Sequence, residues 1–326
     1  MATPAAAHPA DPAIPHPGSA VRVTPIKIWA TLGAASVVLM VVVLSQWVVS
    51  GIASVDPGPD AYGGTKLVLM RVLEWGQFAA LLGLLAWFVA RPLAGRRPLG
   101  FDGLFVLAAL ALNFWDPLDN YLVFSFQYNA HFLNVGSWGG FIPGWHSAGG
   151  ATWAVPVAFV VGAYTWAFFV AARMGCAIAD RLRRIRPQWG TVRIFGVVFI
   201  ANALLEAVCE TAFLRTGTMA NIGTPDALTA WSGSYDGWPI YNPILFGFTW
   251  TALAWLRWSR DERGFSAVER GAERLAVGSR AATAVRFLAI SAFVQVSYIG
   301  LYFVPWNLLA LLHDARPPLP SYFPVP

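Results

Sequence analysis

Seven separated apolar runs, at about 28–50, 67–91, 101–121, 152–173, 192–213, 241–258 and 286–307, govern what this chain can fold into. Each comes near the roughly 20 residues that a helix needs to cross the hydrocarbon core of a bilayer, the sixth being short. Composition agrees with that pattern. Of the 326 residues 57% are hydrophobic and 12% charged, against about 25% charged in an ordinary soluble domain. The reading is all-α: a polytopic transmembrane helical bundle of about seven helices, multi-pass in the cell membrane, with Trp- and Gly-rich outer loops.

Basic residues orient the bundle. Arg22 and Lys27 precede the first run, Arg91, Arg96 and Arg97 follow the second, and Arg173, Arg181, Arg183, Arg184 and Arg186 follow the fourth. The connection from Arg257 to Arg286 is also Arg-rich, diluted by Asp261, Glu262, Glu269 and Glu273. All of these fall on one side, which the positive-inside rule makes cytoplasmic, with Lys66, Arg71, Arg215 and Arg316 near the other. The expected topology is N-terminus in, C-terminus out. The same distribution accounts for the net charge of +5 without nucleic acid as a partner.

Residues 1–24, Pro- and Ala-rich and without periodicity, are expected to be a disordered tail. Residues 25–310 form a single transmembrane domain, and 311–326 a Pro-rich C-terminal tail. Glu269, Arg270, Glu273 and Arg274 stand at helical spacing within 259–285 and predict a short surface helix. Cys176 and Cys209 fall at different depths, so no disulfide is expected.

Intramembrane carboxylates are costly, and they collect here at one depth. Glu74 on the second helix, Asp116 and Asp119 at the end of the third, and Glu206 and Glu210 on the fifth all project toward the outer half of the membrane. Asp116, Asp119 and Asn120 fit an i, i+3, i+4 stripe that Asn113 extends by a turn; Asn202, Glu206 and Glu210 recur every four residues. Two such stripes facing one cavity would let one carboxyl stay protonated as an acid while its neighbour acts as a base. The catalytic candidates are Asp119, Glu206 and Glu210, then Asp116, Glu74 and His131. Single amides such as Gln77 and Gln295 read as structural bonds between helices.

The two long outer connections, 121–151 and 214–240, are aromatic and glycine-rich and suit a lid over an apolar pocket. Trp138, Trp145, Trp231, Tyr235 and Trp238 are its candidate substrate contacts, alongside Asn113, Asn120, Tyr128, Asn129 and Asn202. For the tryptophans an interfacial aromatic belt is the competing explanation.

Nucleotide, serine-hydrolase, zinc-protease and CxxC motifs are absent. Hard oxygen ligands with one imidazole leave open a metal-dependent membrane enzyme acting on a lipophilic substrate, although Glu-x-x-His pairs are missing and no metal-binding residue is assigned. A proton-coupled small-molecule transporter is the non-enzymatic alternative, disfavoured because seven crossings divide poorly into paired repeats.

NFWDPLDNY (113–121), QYNAHFLNVGSW (127–138), FIPGW (141–145) and ANALLEAVCE (201–210) resemble the AveC-like spirocyclase family of actinobacterial membrane proteins, over most of residues 25–310. The resemblance implies polyketide maturation: a dihydroxy-ketone chain closed to a spiroketal by stereocontrolled dehydrative cyclisation, sometimes with a further dehydration. It places the family's Asp-Pro-x-x-Asn core at Asp116, Pro117 and Asn120, and its Tyr-Asn pair at Tyr128 and Asn129. Chemistry of that kind needs proton transfer and aromatic walls, and no cofactor. The partners expected are a lipophilic small molecule and the bilayer, with room for a homodimer.

Overall fold

A computed structural model describes residues 23–150 and 152–325. The tail expected at 1–24 lies, except for its last two residues, outside the described residues. Helices occupy all seven apolar runs: α1 (Pro25–Val49), α2 (Thr65–Leu85), α3 (Phe101–Ala111), α4 (Val157–Ile185), α5 (Thr191–Thr216), α6 (Asn242–Trp258) and α7 (Ser279–Tyr298). Three run on through irregular turns. α2 passes a π turn, Ala86–Ala90, and reaches Ala94; α3 tightens into a 3-10 helix, Leu112–Asn120; α7 passes a π turn, Ile299–Phe303, and reaches Ala310. With these extensions six helices among the described residues are long and apolar enough to cross a membrane, and α6, with 17 residues, is the short one.

Local chemistry sets the helix ends. α1 and α6 carry Pro in the first turn, where its missing N–H has no intrahelical partner to lose. α5 stops at Gly217, whose φ of 69° only glycine adopts cheaply. Small residues then let helices approach. A Cβ on Gly33 of α1 would collide with the Leu288 carbonyl of α7, and one on Gly162 of α4 with the Gln77 backbone of α2. Val38 and Val41 of α1, Val72 and Leu82 of α2 and Leu204 and Val208 of α5 point outward, an apolar surface of the kind that suits lipid tails. At the basic end Asp102 of α3 accepts from Arg173 of α4 at 2.8 Å and from Arg257 of α6 at 2.9 and 3.0 Å, pinning three helices together.

The opposite end carries a cap that modifies the all-α expectation. Strand β1 (Phe126–Tyr128) pairs antiparallel with β4 (Met219–Asn221), β2 (Asn134–Gly136) with β3 (Ala154–Pro156), and β5 (Thr229–Ala230) with β6 (Trp238–Pro239). The β1–β4 ladder, with Phe126 opposite Asn221 and Tyr128 opposite Met219, joins the two long outer connections to each other.

The C-terminal stretch is part of this cap and not a separate tail. Ala130 N–H donates to the Tyr322 carbonyl at 2.8 Å, Ser321 N–H to Asp60 at 2.7 Å and Arg316 to the Phe124 carbonyl at 3.3 Å, while Phe323 is buried. Residues 259–285 do not form the expected surface helix. Before α7 begins at Ser279 there are two single 3-10 turns, Ala267–Glu269 and Ala272–Arg274, and Gly271, at φ 96°, breaks the helical path between them. Glu269, the last residue of the first turn, is buried. It accepts from the Ser266 N–H and hydroxyl and pairs with Arg286 at 2.7 Å.

Candidate active site

Pro117 decides the geometry at the aspartates. It has no N–H, and in a 3-10 helix that N–H would have bonded the carbonyl three residues back, on Phe114. The Trp138 indole takes its place, donating to the Phe114 carbonyl at 2.7 Å. In the resulting 3-10 helix residues three apart eclipse, which puts Asp116 and Asp119 on one face. Its far end is held by α7: Trp306 donates to the Asp119 carbonyl at 3.1 Å and Asn307 to the Leu118 carbonyl at 2.7 Å.

The change of helix type corrects the predicted stripe. Asn120 turns away from the aspartates; its Oδ1 accepts from Ser125 and Phe126 N–H at 2.7 and 2.8 Å and its Nδ2 donates to the Phe126 carbonyl at 2.8 Å. It builds the turn that launches β1. Asn113 bonds the Leu110 carbonyl and faces a separate pocket beside Trp47 and Trp138.

Asp119, Glu206 and Glu210 reach one narrow cavity of about 90 Å³. Its walls are aromatic: Phe126 and Tyr128 from β1, Phe159, Tyr164 and Phe168 from α4, Phe246 and Trp250 from α6, and Tyr302 from the π turn of α7. Glu210 Oε1 accepts from Asn221 Nδ2 on β4 at 3.0 Å. Its Oε2, Asp119 Oδ1, the Tyr241 hydroxyl, Asn242 Oδ1 and the Trp250 indole N–H are buried without a protein partner. Buried polar groups are normally paired, and all of these except the Tyr241 hydroxyl belong to residues that line the cavity.

Asp116 stands behind the wall. Its Oδ1 accepts from the Tyr128 hydroxyl at 2.8 Å and the Tyr164 hydroxyl at 2.9 Å, and Tyr164 in turn accepts from Tyr298 at 2.8 Å. Burial, reinforced by the negative charge of Asp116, pushes the Tyr128 phenol well above its ordinary range, keeping it a neutral donor.

Other candidates stand apart from this cavity. Glu74 is fully buried, but Arg71 binds it at 2.5 Å and the Leu133 N–H donates to it at 2.8 Å, so it clamps α2 to the cap. His131 stacks on Tyr62 at 5.5 Å, and its carbonyl accepts from Arg71. Asn202 donates to Thr251, linking α5 to α6. Asn129 bonds the Gly217 carbonyl and the His131 N–H, joining the two outer connections. Trp145 donates to the Ser147 carbonyl, and Tyr235 accepts from Lys66 and packs on Phe323. Trp231, 55% exposed, lies under Arg215 at 4.1 Å. Trp238 is the exception: half-buried on β6, it stands beside the Glu210 carboxyl, although its indole N–H has no close partner. Cys176 and Cys209 are free. Among the described residues no group of three or more His, Cys, Asp and Glu is arranged to hold a metal ion.

Tyr164, Tyr302, Asn221 and Asn242 line the cavity without having been singled out in the sequence. Tyr298 and Tyr302, four apart on one helix face, were the available signal.

Fold and site together define a bundle of apolar, membrane-length helices closed around a buried carboxylate cavity under a strand-tied cap. The chain belongs to the AveC-like spirocyclase family, whose family model matches residues 96–325. That stretch contains every residue named above as lining the cavity, and it excludes Glu74. No curated protein and no solved structure matches the chain.

Proposed function

We propose that the protein is a membrane-embedded spiroketal cyclase or dehydratase acting on a dihydroxy-ketone, polyketide-like chain by carboxylate acid–base catalysis. The observation that carries this reading is the convergence of Asp119, Glu206 and Glu210 on one aromatic cavity in a chain of the spirocyclase family. One substrate hydroxyl adds to the ketone, its proton passing to the carbonyl oxygen, to give a hemiketal. A protonated carboxyl then gives its proton to the hemiketal hydroxyl, water leaves, and an oxocarbenium ion remains beside the ionised partners that stabilise it. The second hydroxyl attacks that carbon and loses its proton to the carboxylate, so the net loss is one water. Aromatic walls would hold the chain in one conformation and thereby select the stereochemistry.

In this reading all seven helices cross the bilayer, N-terminus in and C-terminus out, and the strand-tied cap faces outward. A C-terminal alkaline phosphatase fusion should be active and a green fluorescent protein fusion dark; the reverse would overturn the orientation. The activity is tested by turnover of a synthetic dihydroxy-ketone with purified protein, read by chiral chromatography, beside Asp119→Asn and Glu206→Gln. A single stereoisomer that disappears in the variants is expected. The background isomer mixture from every sample would refute the reading.

A further inference from the structure

At the basic end of the bundle, far from the cavity, the α2–α3 connection and the first turns of α7 border a groove of about 600 Å³ lined by Leu93, Arg96, Arg97, Leu99, Arg280 and Thr283. We infer that this groove is a binding site for the phosphate group of an anionic phospholipid.

The case rests on a contrast among the arginines. Arg173 and Arg257 share Asp102, and Arg286 pairs with Glu269. Arg91 covers Trp87, and Arg183 covers Trp258. Arg96, Arg97 and Arg280 are exposed, and among the described residues their side chains have no ion pair or hydrogen bond, yet three guanidinium groups from two distant segments line one concavity. Like charges converge in this way at a cost that a bound anion removes. Arg96 is also held at φ 53°, in the left-handed region that non-glycine residues rarely adopt.

Depth and shape identify the anion's carrier. The groove sits where α2 ends and α7 begins, at the boundary of two membrane-length helices, the level at which lipid phosphates lie. Leu99 is its buried floor, and Leu93, 55% exposed, continues it along the outward face of α2, giving a glyceride chain an apolar path beside the charged mouth. Arg181, Arg184 and Arg186 at the end of α4 are also exposed and do not line this groove, which makes them controls.

The test places the full chain in nanodiscs holding phosphatidylglycerol and phosphatidylcholine in equal amounts and counts retained lipids by native mass spectrometry. Wild-type protein should retain the anionic lipid roughly tenfold over the neutral one. Arg96→Gln/Arg97→Gln/Arg280→Gln and the milder Arg280→Gln should lose that preference, and Arg184→Gln/Arg186→Gln should keep it. Inorganic phosphate in a parallel arm separates sources: displacement of the lipid at millimolar concentration would make a soluble phosphate the ligand and overturn the lipid assignment. Equal retention in the triple variant, or equal loss in the control, would overturn the site.

Discussion

The Tyr128 hydroxyl on β1 donates to Asp116 on the 3-10 helix at 2.8 Å, so the cap and the membrane-level helix end are bonded through a residue behind the cavity wall. Asp116 receives Tyr164 from α4 through the same oxygen. Two tyrosines that line the cavity are thus positioned by a carboxylate that does not itself line it.

Tyr128→Phe removes one of those donors, and Asp116→Asn replaces a carboxyl oxygen that has no partner by an N–H₂ that finds none either. Each single change should cost about 1–3 kcal/mol. Because they disrupt one network, the double variant should lose less than the two costs combined. Denaturant unfolding in detergent measures all three, and strict additivity would show that the two groups act independently.

The Trp138 indole is expected to matter for the helix end and not for ligand contact. Trp138→Phe leaves the buried Phe114 carbonyl without a donor, at about 1–3 kcal/mol. Pro117→Ala in the same chain returns an N–H to that carbonyl and should regain part of the loss. Melting temperatures of the single and double variants decide it; a double variant no better than Trp138→Phe would mean that the indole acts by packing alone.

That pair also shows where sequence reading reached and where it stopped. The seven apolar runs mark the seven helices because runs of that length and apolarity satisfy their backbone groups most readily as helices, and the shared depth of Asp119, Glu206 and Glu210 follows from their places along those runs. Which side of a helix Asn120 and Asn113 occupy depended on a switch from 3.6 to 3.0 residues per turn that Pro117 allows and Trp138 completes from 21 residues further along the chain. Glu74 shares the depth but was taken by Arg71, a local pair visible as i, i+3 spacing. The packing of Tyr322 and Phe323 into the cap rests on non-local backbone bonds to Ala130 and Asp60, which no periodicity announces.

Asp236 and Arg215 form an ion pair at the rim of the cap, beside Trp231. Partial burial raises the Asp236 pKa, but the Ser234 hydroxyl and the Arg215 charge outweigh it and hold the carboxyl below its ordinary value. A folded-state pKa below the unfolded one gives stability that is complete above the ordinary carboxylate value and is lost as pH falls through the lower folded value. Asp236→Asn should therefore cost about 0.5 kcal/mol at neutral pH and nothing once the wild-type carboxyl is protonated. Hydrogen exchange of the cap amides at neutral and strongly acidic pH reads this, and a deficit unchanged by pH would remove the charge from the explanation.

Glu210 and Asn221 allow chemistry to be separated from architecture. Glu210→Gln keeps a carbonyl oxygen for the Asn221 amide, which donates at 3.0 Å, so the α5–β4 contact and the cavity should survive while the transferable proton is gone. Asn221→Ala does the opposite, keeping the carboxyl and releasing its orientation. If Glu210 carries the proton, the glutamine variant should lose at least about a hundredfold in turnover with an unchanged melting temperature. The alanine variant should lose less turnover but more stereoselectivity, since a carboxyl free to rotate can protonate the hemiketal in more than one pose. Full turnover in Glu210→Gln would pass the role to Asp119 or Glu206, the other two acids on the same cavity.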